Sequence, residues 1–186
     1  MIIPDGFGDA TRFEIKAYEW SQNGLLNVLS NFPGFSSYFI SWVIAILYSL
    51  FGQSEMMAQS LSLIFGLGSV YLGYKLTEKI WDKKTANKAG WLLALFPSLI
   101  LYSCLILREV YIYFFLLVAL NGIVNWADSK SLKSFIQVII GFICCAFYHS
   151  AMIIGLFVFF AIIFLQNIKI ILLNLKNSKL AKDHLY

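Results

Sequence analysis

Charge is scarce in this chain, and so are proline and cysteine. Of 186 residues only 13% are charged, three are proline and three are cysteine, while 60% are hydrophobic and 17% aromatic. A water-soluble domain of this size cannot bury that much apolar surface, so the composition calls for a bilayer as solvent. The cysteines, Cys104, Cys144 and Cys145, all sit inside apolar runs. They form no disulfide framework and no metal-ligand spacing, and read as small buried hydrophobes. No HExxH, no phosphate-cradling glycine loop with Lys-Ser/Thr and no nucleophile elbow occurs. There is no nucleic-acid module, and the lysines behind the formal net charge of +4 cluster between hydrophobic stretches rather than along one face. The start, "MIIPDG", has neither a basic n-region nor an apolar h-region of a signal peptide.

What is present is a series of apolar runs. Met56–Leu76, Ala89–Leu107 and Val110–Ala127 are each about one membrane span long. Ala89–Leu107 carries Pro97, which kinks or starts a helix. Ser134–Leu165 is too long for one crossing, which takes about 20 residues, and splits near "FYHS". The runs lack strand alternation, so the expected fold is all-α, a polytopic transmembrane helical bundle. Five tryptophans, Trp20, Trp42, Trp81, Trp91 and Trp126, fall near segment ends as an interfacial belt requires. Gly141 and Cys145, small residues four apart, suit close helix packing.

Lysine sets the expected orientation. Lys75, Lys79, Lys83, Lys84 and Lys88, then Lys130 and Lys133, then Lys169, Lys176, Lys179 and Lys182 mark cytoplasmic segments. "GQSE", "LRE" and "FYHS" then lie on the other side. Gly34–Phe51 decides where the N-terminus lies. If it spans, residues before it are cytoplasmic; if it lies in the interface, they are external. Pro33 just before it, with Gly34, Ser36, Ser37 and Ser41, suits a half-buried helix, and the acidic stretch ahead, net −2 over Asp5 to Glu19, carries little basic charge. The expected division is residues 1–52 as an external segment with juxtamembrane helices, 53–168 as a bundle of about five spans, and 169–186 as a basic cytoplasmic tail. An external first segment with no span before it implies a piece of a longer protein.

The stretch "GDATRFEIKAYEW" reads as an amphipathic helix. Phe13, Ala17 and Trp20 share one face. Thr11 and Glu14 fit a capping box, Gly24 a helix stop, and "DGFGD" a flexible loop ahead of the helix. Such a helix suits the membrane interface.

The order of these features resembles the GT-C superfamily of integral membrane glycosyltransferases, which includes the protein O-mannosyltransferases and lipid A aminoarabinose transferases. The likeness rests on Gly8-Asp9-Ala10 with Ala17; on Pro33 followed by Phe51-Gly52; on the basic turn "KLTEKIWDKKTANKAG"; on Pro97, Tyr102, Ser103, Arg108 and Glu109; and on "IGFICCAFYHSAMII", with His149 where a basic residue is usual. It covers about Gly8 to Leu165. The resemblance implies a cell-membrane, multi-pass enzyme that moves a sugar from a polyprenyl-phosphate donor to a lipid, glycan or protein acceptor on the extracytoplasmic side, with residues 1–52 outside and 77–88 and 169–186 in the cytoplasm. It implies Asp9 as catalytic base and a donor-phosphate role for Arg108, whose planar fork suits phosphate, and for His149. Asp5 and Glu109 are candidate second carboxylates. No metal ligand is assigned, and a divalent metal stays open as a cofactor.

Each candidate also has a purely structural reading. Asp9 sits where a carboxylate caps a helix or meets its positive end. Asp5 reads as a solvated loop residue. Arg108 and Glu109 read as an interfacial ion pair, although neighbours on a helix do not face each other unless the helix breaks there. His149 reads as an outer-surface residue. A polymerase of lipid-linked polysaccharide shares this architecture. A transporter or flippase subunit is the alternative outside enzymes, and the scarcity of ionisable residues within the spans counts against a proton-coupled carrier.

Overall fold

The computed structural model describes residues 6–165, with side chains from residue 8. Asp5 and the tail 169–186 lie outside the described residues. Within them the chain is all-α, with helices α1 (Gly6–Ser21), α2 (Leu25–Ser30), α3 (Phe39–Phe51), α4 (Glu55–Ile80), α5 (Lys83–Ala94), α6 (Pro97–Cys104), α7 (Glu109–Ser129), α8 (Leu132–Tyr148) and α9 (Ser150–Leu165). The first turn of α9, Ser150–Met152, is a 3-10 helix. By length and composition α4 and α7 suffice to cross a membrane, and α3, α8 and α9 are shorter apolar helices.

The small residues of α4 make it the helix around which others pack. Ala58, Ser62, Gly66, Ser69 and Gly73 are buried along one side. Gly66 abuts Ser103 of α6, Gly73 abuts Leu93 of α5 and Gly68 abuts the Phe114 ring of α7. Small side chains let backbones approach where lipid offers no hydrophobic drive to association. These pairings run α5 and α6 antiparallel to α4. The return is broken at Leu95–Phe96, where Pro97 starts α6 at its first turn, a position that tolerates its missing N–H. α7 lies parallel to α4: the Ser62 and Tyr111 hydroxyls meet at 3.0 Å near one end, and Asn121 Nδ2 donates to the Leu72 carbonyl towards the other.

α8 returns against α7 with backbones close. A Cβ on Gly141 would lie 2.7 Å from the Ala119 nitrogen, and one on Gly122 would meet Val138. Cys145, fully buried, directs Sγ at the Ile112 carbonyl. α8 ends at Tyr148, His149 is extended, and α9 turns back beside Phe142 and Phe135. The long apolar run is therefore divided at "FYHS", as its length demands.

α3 has 13 residues, about 20 Å of helix against a hydrocarbon core of about 30 Å. It packs against α1. Ser41 Oγ donates to the Phe13 carbonyl, and Trp42 Nε1 donates to the Val28 carbonyl of α2. An aromatic cluster of Phe32, Phe35, Phe39 and Phe147 ties this layer to the end of α8. Gly52 closes α3 at φ 87°, ψ 163°, a conformation that essentially only glycine adopts, and the chain then enters α4.

Three local expectations change. α1 begins at Gly6, so Gly6–Asp9 is helical rather than a loop, and Thr11 lies inside the helix rather than capping it. α1 ends at Ser21, ahead of Gly24, which at φ 78° caps the start of α2. The lysine-rich "KLTEKIWDKKTANK" is mostly helix: α4 runs to Ile80, only Trp81–Asp82 turn, and the Asp82 carboxylate caps α5 by accepting from the Thr85 amide at 2.9 Å.

Candidate functional site

The packing collects four features at one end of the bundle: α1, the start of α4, the start of α7 and the end of α8. Gln53, just before α4, bonds to Glu14 of α1. Tyr111, two residues into α7 beyond Glu109, touches Ser62 of α4 and stacks on Tyr148 of α8 with ring centroids 5.0 Å apart. The other end carries Lys75, Lys79 and Lys83 with Lys130 and Lys133, and there Lys79 Nζ donates to Asn121 Oδ1.

α1 presents two faces because its apolar residues recur at helical spacing. Ala10, Phe13 and Ala17 are buried, and Trp20 packs against the same core. Asp9, one position ahead of Ala10, lies in the first turn and is half exposed. The helix N-terminus favours its charge, and Arg12 Nη1 stands 3.5 Å from Oδ1. An open groove of about 820 Å³ runs beside it along Gly8, Arg12, Ile15, Lys16 and Tyr38. Glu19 pairs with Lys16 at 2.8 Å on the outer face.

Glu14 has a different setting from the one its sequence spacing suggests. Its Oε1 accepts from the Tyr48 hydroxyl at 3.3 Å and from Gln53 Nε2 at 3.0 Å. Burial, then the neighbouring Glu14 carboxylate, push the Tyr48 hydroxyl well above the usual tyrosine range. Glu14 is thus a clamp between α1 and the α3–α4 corner, not a partner in a capping box. No local motif announces this, because the partners lie 34 and 39 positions away.

Arg108 and Glu109 do pair. Arg108 precedes α7, and the helix break before it lets Nε come within 3.6 Å of Glu109 Oε1. Arg108 is three-quarters shielded from solvent, which is unusual for a guanidinium and confines its remaining donors. Glu109 Oε2 is buried and has no hydrogen-bond partner. A buried carboxylate oxygen without a donor is costly, and a ligand hydroxyl or water would relieve it. The Tyr102 and Tyr113 rings lie 6.3 Å apart beside this break.

His149 is exposed between α8 and α9, and its backbone is held on both sides: its N–H donates to the Cys145 carbonyl and its carbonyl accepts from the Met152 N–H. Among the described residues no hydrogen bond or ion pair joins Asp9 to Arg108, Glu109 or His149. Nor does any group of three or more His, Cys, Asp or Glu among them suit a metal ion.

A model of the dolichyl-phosphate-mannose-protein mannosyltransferases matches residues 12–186. The chain belongs to that family. No curated protein and no solved structure matches it. The mannosyltransferase match takes in Glu14, Arg108, Glu109 and His149, whereas Asp9 and Asp5 precede its first residue. Membership accounts for the apolar helices, since this is a family of membrane-integral transferases, and it agrees with the GT-C likeness of the sequence.

Proposed function

We propose that the chain is a membrane glycosyltransferase that transfers a sugar, mannose by family membership, from a polyprenyl-phosphate carrier to an acceptor hydroxyl at the extracytoplasmic surface. One observation carries the assignment of the end: the buried, unpartnered Glu109 oxygen stands beside a largely shielded Arg108, at the end of the bundle that also bears Asp9. That end is poor in lysine, as an extracytoplasmic face should be. In this reading α4, the broken α5–α6 return, α7, α8 and α9 are five crossings, and α1 to α3 lie in the outer interface.

The chemistry follows from residue types. Arg108 is a permanent cation with donors to spare beyond Glu109, fit to bind the lipid phosphate of the donor. Asp9 is a solvated carboxylate on a rigid helix and takes the proton of the acceptor hydroxyl as its oxygen attacks the anomeric carbon. His149, exposed at the same end, is a second contact for the donor phosphate. Glu109 holds Arg108 in place and offers its free oxygen to a sugar hydroxyl. The acceptor is protein by the same family membership.

The test is transfer of radiolabelled mannose from polyprenyl-phosphate mannose in membranes that contain the chain. Loss of transfer in Arg108→Ala and Asp9→Asn, with normal membrane insertion, supports the assignment. Full transfer in both overturns it. Sidedness is tested by Asp9→Cys with an impermeant thiol reagent: labelling only after permeabilisation overturns an external α1.

A further inference from the structure

At the lysine-bearing end a second feature stands apart from the proposed transfer site. A groove of about 370 Å³ opens between α7, α8 and α9. Its inner end is the Phe142 ring against Gly155, where a Cβ would collide with that ring. Leu120 and Phe159 form walls, and Trp126 and Lys130 form the mouth. From Leu120 to Lys130 is ten residues of α7, about 15 Å and about half a hydrocarbon core. The groove is therefore one leaflet deep, apolar at mid-bilayer and cationic at the surface.

Lys130 is set there at a cost. It is the one non-glycine residue at positive φ among the described residues, at φ 49°, ψ 27°, a conformation that glycine or asparagine adopts more readily. The chain turns at this residue as α7 ends, and its ammonium rests 3.7 Å over the Trp126 ring. Lys133 follows at the start of α8. The carboxylate of Asp128 does not line the groove.

We propose that this groove binds one anionic phospholipid, its headgroup on Lys130 and one acyl chain running down to Phe142. Charge complementarity selects an anionic headgroup over a zwitterionic one. A peptide is a poor occupant, because its backbone N–H and C=O groups would find no partners along apolar walls. A polyprenyl-phosphate donor is a poor one as well, because the proposed transfer site lies at the opposite end of the bundle.

The full chain, purified in detergent and loaded with equal phosphatidylglycerol and phosphatidylcholine, is examined by native mass spectrometry. One retained phosphatidylglycerol, with phosphatidylcholine stripped, is expected. Lys130→Gly suits the positive φ, so it keeps the turn while removing the charge. It should lower retention about fivefold, the factor one lysine at a charged membrane surface is worth, and Lys130→Arg should restore it. Val158→Trp, on the exposed rim, should block the groove and abolish retention. Equal retention of both lipids overturns the proposal. So does retention unchanged by Lys130→Gly or by Val158→Trp, or displacement by undecaprenyl phosphate at equal concentration. A photo-cross-linker at Val158 should capture lipid; capture of residues 166–186 overturns the proposal too.

Discussion

Gln53 and Glu14, 39 positions apart, meet through a 3.0 Å hydrogen bond that fastens the amphipathic helix α1 to the point where the chain enters α4. Tyr48 adds a second bond to the same carboxylate oxygen. Glu14→Ala removes both. A bond to a charged group contributes about 1.5–3 kcal/mol, and partial exposure here reduces the pair to about 1 kcal/mol. The expected result is a modest fall in melting temperature in detergent with faster trypsin cleavage after Arg12 and Lys16, whereas Glu14→Gln, which keeps an acceptor, should lie near the parent. Cleavage rates unchanged in Glu14→Ala would remove the clamp from the account.

Tyr48 gives that clamp a pH signature. Its folded pKa is raised, so the neutral hydroxyl is favoured in the folded chain. The stability it contributes is complete below the ordinary tyrosine pKa of about 10 and is lost as pH rises above it. Tyr48→Phe should therefore melt below the parent at neutral pH, with the gap beginning to narrow as pH rises above about 10. A difference between the two that stays constant across this range would contradict the assignment.

Asp9 has two possible duties, and one substitution separates them. If it takes the acceptor proton, Asp9→Asn should cut turnover by about 10²–10⁴, the usual worth of general-base catalysis. If it only meets the helix N-terminus, Asn serves nearly as well there and turnover should change little. Arg12, its exposed neighbour at 3.5 Å, should be dispensable to within about tenfold on replacement by alanine, because exposed ion pairs are weak. Radiolabel transfer at saturating donor reads both variants.

Some of this architecture is visible in the chain itself. Run length divides the stretch ending in α8 from α9 at His149, and Pro97 marks the start of α6, because both follow from local rules. Phe13, Ala17 and Trp20 share a buried side, as their spacing requires. The start of α1 is not visible, because "DGFGD" looks like a loop while tertiary packing of Ala10 and Phe13 holds the helix from Gly6. The Glu14 clamp is equally hidden, since a capping-box match is local and its real partners are remote. The Arg108–Glu109 pair turns on whether the helix breaks before residue 109, a question of backbone path that residue spacing leaves open.

The break before α7 gives Arg108 a role that lysine cannot copy. Its Nε is turned towards Glu109, leaving the terminal nitrogens for a phosphate. Arg108→Lys retains charge but loses the fork, so the expected effect is a rise in donor KM of about tenfold with a smaller change in kcat. Glu109→Gln weakens the hold on Arg108 and should raise donor KM less. A fall in kcat at unchanged KM in Arg108→Lys would move its role from donor binding to the transition state.

Close packing of α7 on α8 can be tested without reference to the reaction. A methyl group on Gly141 would sit 2.7 Å from the Ala119 nitrogen, 2.8 Å from its Cβ and 2.9 Å from its Cα. Two of those three atoms are backbone and cannot rotate away, so Gly141→Ala must push the helices apart. Overpacking of this kind costs about 1–3 kcal/mol, measurable as a lower melting temperature in detergent. Ala119→Gly in the same chain removes only the Cβ contact, so it should rescue part of the loss and not all. Full rescue would show that the Ala119 side chain, rather than the α7 backbone, sets the distance between the helices.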